Sequence, residues 1–170
     1  MDKTTIIYLE KDNKYLMLHR NKKEKDLNKD KWIGVGGHIE EYESPDQCIV
    51  REVKEETGLE IEVQKLIGIY TDSDVVCANG DKVHSICIGY EMSVVGGELI
   101  CDENETLELK YFSLDNMPEL FCKQHEELLR DIKGKSRKII FKTNTTYLDI
   151  FRDVWYYNNV IKKYGVPILY

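Results

Sequence analysis

The sequence predicts an α+β fold, a mixed β-sheet flanked by helices. Three observations point there. The 170 residues make one ordinary domain, and 42% hydrophobic with 32% charged residues is a globular composition. The predicted elements mix strands with a few helices and do not alternate as regular β-α-β units. One segment, Ser44–Gly58, carries unusually complete helix punctuation.

The elements follow in order. Thr4–Leu9 and Lys14–His19 read as strands joined by a polar turn at Lys11-Asp12-Asn13. Asn21–Lys31 is a highly charged loop, the composition of a solvated surface. Trp32–Gly37 is short and apolar, with Gly34, Gly36 and Gly37 predicting close approach by a ligand or a neighbouring backbone. In the helix over Ser44–Gly58, Ser44 is the N-cap, Pro45 suits the first helical position, Gln47 completes a capping box and Gly58 is the stop. Ile61–Thr71 and Lys82–Val95 read as strands, with a turn at Asn79-Gly80 before the second and Gly96-Gly97 ending it. Leu107–Phe112 is another short strand. Pro118 opens a helix through Lys133 with Phe121, Leu128, Leu129 and Ile132 on its apolar side, and Arg137–Thr143 reads as a final strand. Thr146–Tyr164 has helix signals at both ends: Thr146 and Asp149 as caps, Lys162 and Lys163 in the last turn, Gly165 and Pro167 beyond. Residues 1–145 therefore form the main domain. Residues 146–170 form a helical extension whose Tyr147, Phe151 and Trp155 pack on it, or alternatively meet a second copy. A monomer and a homodimer both fit.

Charge and cysteine usage narrow the class. A net charge of −7 and a pI near 5.2 argue against tracking a nucleic-acid polymer by charge, although bound cations reverse the local sign for small anions. Cys48, Cys77, Cys87, Cys101 and Cys122 form no C-x-x-C pair and are odd in number, so reduced thiols in a cytoplasmic protein are expected. No long apolar region marks a signal peptide and no stretch reaches the ~18 residues of a membrane span. The N-x-T triplets at Asn104 and Asn144 then carry no glycosylation message.

The chemistry concentrates between Gly37 and Leu59. Glu52, Glu55 and Glu56 stand at i, i+3 and i+4, so three carboxylates project from one helix face. Three like charges this close destabilise a helix by a few tenths of a kcal/mol per pair, roughly. Folding alone gives no reason to place them there. Hard divalent cations such as Mg²⁺ or Mn²⁺ would neutralise them. Gly36-Gly37 can bring a backbone carbonyl to such an ion, and Arg51 can hold a carboxylate in its fork.

Gly37, five residues, Glu43, seven residues, then Arg51-Glu52-Val53-Lys54-Glu55-Glu56-Thr57-Gly58-Leu59 resembles the Nudix box, with every fixed position present. Seven fixed letters at ~7% usage each match by chance about 10⁻⁸ times per start position. The resemblance implies an α/β/α sandwich around a mixed sheet. It also implies hydrolysis of a nucleoside diphosphate linked to another group, by attack of a metal-activated water on phosphorus. Glu52, Glu55 and Glu56 match the family's metal-binding glutamates, the Gly36 carbonyl a backbone ligand, and Arg51 the residue that orients the first glutamate. The expected cofactor is Mg²⁺, with Mn²⁺ as substitute, and the expected base is Glu52. Glu108, with Glu105 in reserve, is the candidate for a further acidic residue.

The frame Trp32-x-Gly34-x-Gly36-Gly37 is similar to the MutT-like branch, which cleanses nucleoside triphosphates. The chain departs from it at Ile33, at His38, and in Leu120–Gln124, which lacks an acidic pair. A nucleoside triphosphate, oxidised or otherwise non-standard, is therefore the lead substrate, with products nucleoside monophosphate and pyrophosphate. ADP-ribose or another nucleoside-diphosphate-X is the alternative, and a 5′-triphosphate RNA end is third. A non-catalytic nucleotide sensor and an isomerase of diphosphate-bearing lipid precursors are the competing classes. Lys23, Trp32 and Phe121 are the candidate substrate contacts, with Arg20 beside them, and His84 reads as structural.

Overall fold

The structure, a computed structural model, describes residues 2–20, 30–77, 80–101, 106–120, 122–134 and 140–143. Its elements are β1 (Asp2–Ile6), β2 (Glu10–Lys11), β3 (Lys14–Arg20), β4 (Trp32–Ile33), α1 (Pro45–Thr57), β5 (Leu59–Val76), β6 (Lys82–Gly97), β7 (Thr106–Ser113), a 3₁₀ turn (Leu114–Asn116), α2 (Lys123–Lys133) and β8 (Ile140–Thr143). One sheet runs β1-β6-β5-β8, with β1 parallel to β6, β5 antiparallel to β6, and β8 parallel to β5. In the other, β3 pairs antiparallel with β2, β4 and β7. This is the mixed sheet and α+β class that the sequence predicts.

Period-2 alternation explains the layering. Ile7, Leu9, Leu16, Leu18, Ile69, Ile86 and Ile88 face one core, which Ile49 and Val53 of α1 complete. Their chain neighbours Ile6, Tyr8, Tyr15, Met17, Tyr70 and Cys87 face a second core, closed by Leu128 and Leu129 of α2. A helix therefore covers each side of the mixed sheet, an α/β/α sandwich. The long β5–β6 pair shifts register at four places, and such bulges let long strands coil around a core.

Helix α1 is fixed at both ends by local chemistry. Gln47 Oε1 accepts from the Ser44 N–H at 2.9 Å. Gly58 adopts φ 71°, a left-handed conformation glycine reaches without strain, and its N–H reaches Lys54 O at 3.0 Å. Two elements differ from expectation. The helix predicted from Pro118 begins only at Lys123, because the Trp32 N–H bonds Glu119 O at 3.2 Å and Leu120 bridges Trp32 in parallel, holding the backbone extended there. The run Trp32–Gly37 is a strand only over its first two residues; Val35 and His38 then make single bridges to Ile7 and Thr4. The β2–β3 turn has Asp12 and Asn13 at φ 55° and 58°, the two-residue form that matches hairpin twist.

Lys23, Asn79, Glu105, Phe121 and the helical extension over 146–170 lie outside the described residues. Among the described residues no helix is long and apolar enough to cross a membrane. None of the five cysteines forms a disulfide.

Leu128 is fully buried, and its Cδ1 lies against Gly89 of β6, closer than a Cβ there would allow. Leu128→Ala should cost about 2–5 kcal/mol, read as a lower denaturant midpoint with unchanged slope.

Candidate active site

The glycine segment is held by β1. The Thr5 N–H bonds Gly37 O at 2.9 Å, Val35 N–H bonds Ile7 O at 3.1 Å, and Ile39 N–H bonds Lys3 O at 3.0 Å. Gly36 has φ 152° and lies so close to Thr5 O that no side chain fits. Helix α1 packs over the same strand, with Ile49 and Val53 fully buried. The glycines and the helix glutamates thus share one rigid support.

Gly37 faces the carboxylate of Glu52. A Cβ at Gly37 would overlap Glu52 Oε1 and its carboxyl carbon. The absence of a side chain here is what admits the acid. The Arg51 guanidinium completes the arrangement. Its Nε and Nη2 donate to the two oxygens of Glu43, both at 2.9 Å. Nη1 donates to Glu52 Oε1 at 2.7 Å and to Glu55 Oε2 at 3.2 Å, and Nη2 also reaches His38 O at 3.2 Å. Side-chain exposures of 14% for Glu43, 15% for Glu52 and 25% for Arg51 place these groups in partial shelter, whereas Glu55 is 61% exposed. Glu56 Oε2 accepts from the Gly36 N–H at 3.1 Å.

The hydrogen bonds from Arg51 hold the Glu43 carboxyl below the usual carboxylate range, and the same bonds raise the pKa of Arg51. Burial pushes the Cys48 thiol, beneath this cluster, up to about 12.

The predicted residues therefore divide. Glu52 and Glu55 meet at one Arg51 nitrogen, and Glu56 sits at the neighbouring Gly36 amide. In this arrangement, among the described residues, no three His, Cys, Asp or Glu side chains already stand in position to share an ion. The donor set is nevertheless hard carboxylate oxygen beside a side-chain-free glycine pair, which suits a divalent cation. Glu108 lies on β7 opposite His19, half exposed, with Lys110 Nζ at 4.0 Å. Strand pairing with β3, whose residues lie far away in the sequence, sets its position. Trp32 stacks flat on His19, 4.6 Å between centroids and 6° between planes, and meets Phe112 edge-on at 4.6 Å. One face of the indole is thus already covered.

Glu43 was not singled out from sequence as a site residue, although its fixed spacing to Arg51 was the available signal. Thr5 and His38 carry no sequence signal of their own, because strand pairing brings them here.

Comparison with known proteins agrees with this geometry. The NUDIX domain model matches residues 2–132. The chain is 35% identical over 123 residues to an ADP-ribose pyrophosphatase of Methanocaldococcus jannaschii, covering 72% of this chain and 68% of that protein. It is 36% identical over 86 residues to the NAD-capped RNA hydrolase NudC of Pseudomonas aeruginosa, 51% of this chain but only 28% of that one. In structure it resembles an ADP-ribose pyrophosphatase from Streptococcus suis (TM-score 0.61, 24% identity, 84% of this chain and 98% of the other). It also resembles a Nudix hydrolase from Nitrosomonas europaea (TM-score 0.66, 23% identity, 78% and 88%). The chain belongs to the Nudix family. It is a Nudix hydrolase, an enzyme acting on phosphorus-containing acid anhydrides.

Two outcomes test the site. Gly37→Ala should leave a folded protein whose kcat falls at least ~100-fold, because Glu52 is displaced. For Glu43 the folded pKa is depressed. Its contribution to stability is therefore present above the unfolded value of about 4.3 and is lost as pH falls through the lower folded value. Glu43→Gln should flatten the acid limb of stability below about pH 4.5, measured by denaturation across pH.

Proposed function

We propose that this chain is a divalent-metal-dependent pyrophosphatase that splits ADP-ribose, or a closely related nucleoside diphosphate linked to a second group, into two monophosphates. The observation that carries the chemistry is the Arg51 guanidinium, bound at once to Glu43, Glu52 and Glu55 beside Gly36-Gly37. Support for the substrate is the 35% identity to a named ADP-ribose pyrophosphatase over most of both chains. The expectation that put a nucleoside triphosphate first gives way to its alternative on this ground.

Glu52, Glu55, Glu56 and the Gly36 carbonyl would hold the metal, Mg²⁺ with Mn²⁺ as substitute. A bound divalent ion supplies neutralisation of the diphosphate and a lower pKa for the attacking water. The protein's part is orientation and proton transfer. Arg51 holds Glu52 at 2.7 Å, which aims that carboxylate past Gly37. Glu52 is our choice of general base, a group that accepts the water proton only if it is held within hydrogen-bond reach. Trp32, with His19 behind it, offers a flat apolar surface for a base or ribose, and Lys23 and Phe121 remain candidate substrate contacts.

Incubation with Mg²⁺ and a panel of ADP-ribose, dinucleotides and ordinary and oxidised nucleoside triphosphates should show AMP and ribose 5-phosphate from ADP-ribose as the fastest products. Chelation should abolish them. Glu52→Gln, Glu55→Gln and Glu56→Gln should each lower kcat by about 10²–10⁴-fold with the fold intact by circular dichroism. A kcat/KM for triphosphates tenfold above that for ADP-ribose would overturn the substrate assignment while leaving the metal chemistry standing.

A further inference from the structure

A side-chain contact beneath the site ties the two halves of the catalytic apparatus together. Cys48 lies on α1, three residues before Arg51, and is fully buried. Thr5, on β1, is 1% exposed. The Thr5 hydroxyl donates to Cys48 Sγ at 3.2 Å. The Cys48 thiol faces His38 O at 3.4 Å and Gly37 O at 3.8 Å. Arg51 Nη2 reaches the same His38 O at 3.2 Å and the sulfur at 3.6 Å. The Thr5 backbone N–H meanwhile bonds Gly37 O at 2.9 Å. Four groups that must keep a fixed relation therefore converge on one sulfur: the β1 strand, the glycine turn, the helix, and the arginine that orients Glu52.

A small apolar residue would fill the same space but bond none of them. The main forces joining α1 to the sheet, from Ile49 and Val53, are non-directional. They hold the helix down without setting its shift along the strand. Directional bonds do set it, and a displacement of ~1 Å at a catalytic carboxylate can cost about 10²-fold in rate.

We propose that Thr5 and Cys48 are positioning residues, whose hydroxyl–thiol contact sets the register of α1 against the Gly36–His38 turn and thereby holds Arg51 and Glu52 in their working geometry. The inference rests on the reading that the α1 glutamates act on the substrate, but it concerns a contact that exists without substrate or metal.

The test uses the full chain with Cys48→Ala, Cys48→Ser, Thr5→Val and the Cys48→Ala/Thr5→Val pair. Kinetics are measured on the best substrate of the panel. Hydrogen exchange of the segment around Gly36–Ile39 is measured on the metal-free protein. The expected result is a kcat lowered about 5–20-fold in Cys48→Ala and in Thr5→Val, with KM changed less than twofold. Exchange around Gly36–Ile39 should be faster in both, and the double variant should be no worse than the worse single one, as for two partners of one contact. Cys48→Ser, which restores a donor and acceptor, should recover most of kcat and the exchange protection. Wild-type kcat and exchange in Cys48→Ala, equal loss in Cys48→Ser and Cys48→Ala, or fully additive losses in the pair would each overturn the proposal. Should no nucleotide be turned over by the wild type, the proposed function falls, and the exchange comparison still decides this point.

Discussion

The site depends on one cation. Without Arg51, Glu43, Glu52 and Glu55 would be carboxylates crowded around a helix face, and their mutual repulsion would drive the side chains apart. Repulsion of this kind costs a few tenths of a kcal/mol per pair, roughly. Hydrogen bonds to charged, partly sheltered groups contribute more, about 1.5–3 kcal/mol each. The bidentate contact to Glu43 at 2.9 Å and the 2.7 Å contact to Glu52 are of that stronger kind. The pair with the exposed Glu55 is of the weaker surface kind. Attraction is therefore strong at Glu43 and Glu52 and weakest at Glu55, the most exposed of the three.

Glycines make the room beside this cation. Gly37 leaves room for the Glu52 carboxylate, and Gly36 lets the turn press against Thr5 O. The turn is itself an extension of the sheet, bonded to β1 through Gly37 and Ile39 and to Ile7 just beyond it through Val35. The helix carrying the acids buries Ile49 and Val53 on the same sheet. The acids and their arginine thus sit on a helix packed against the sheet, where a loop would allow more drift. A second helix on the far side closes the other core, so burial on both faces holds the sheet that carries the site.

The aromatic cluster belongs to a different part of the molecule. The Trp32–His19–Phe112 array belongs to the second sheet, built on β3, and its aromatic contacts join three strands. The arginine–glutamate cluster and the aromatic array therefore stand on separate supports.

Local signals were enough for much of this. The helix Pro45–Thr57 has its cap, its proline and its terminating glycine in consecutive sequence, so its bounds were legible to within a residue. The i, i+3, i+4 spacing of the glutamates and their distance from Gly37 are also local, and they sufficed to identify the family. The amphipathic strands were legible because alternation is local too. Three things were decided only by the tertiary structure. Helix α2 starts late because Glu119 and Leu120 pair with Trp32, 87 and 88 positions earlier in the chain. Glu108 faces His19 because β7 pairs with β3. Cys48 meets Thr5 because helix and strand pack face to face. In each case the partner lies far away in sequence, and the pairing is chosen by burial and backbone hydrogen bonding of whole elements, to which no short window of residues has access.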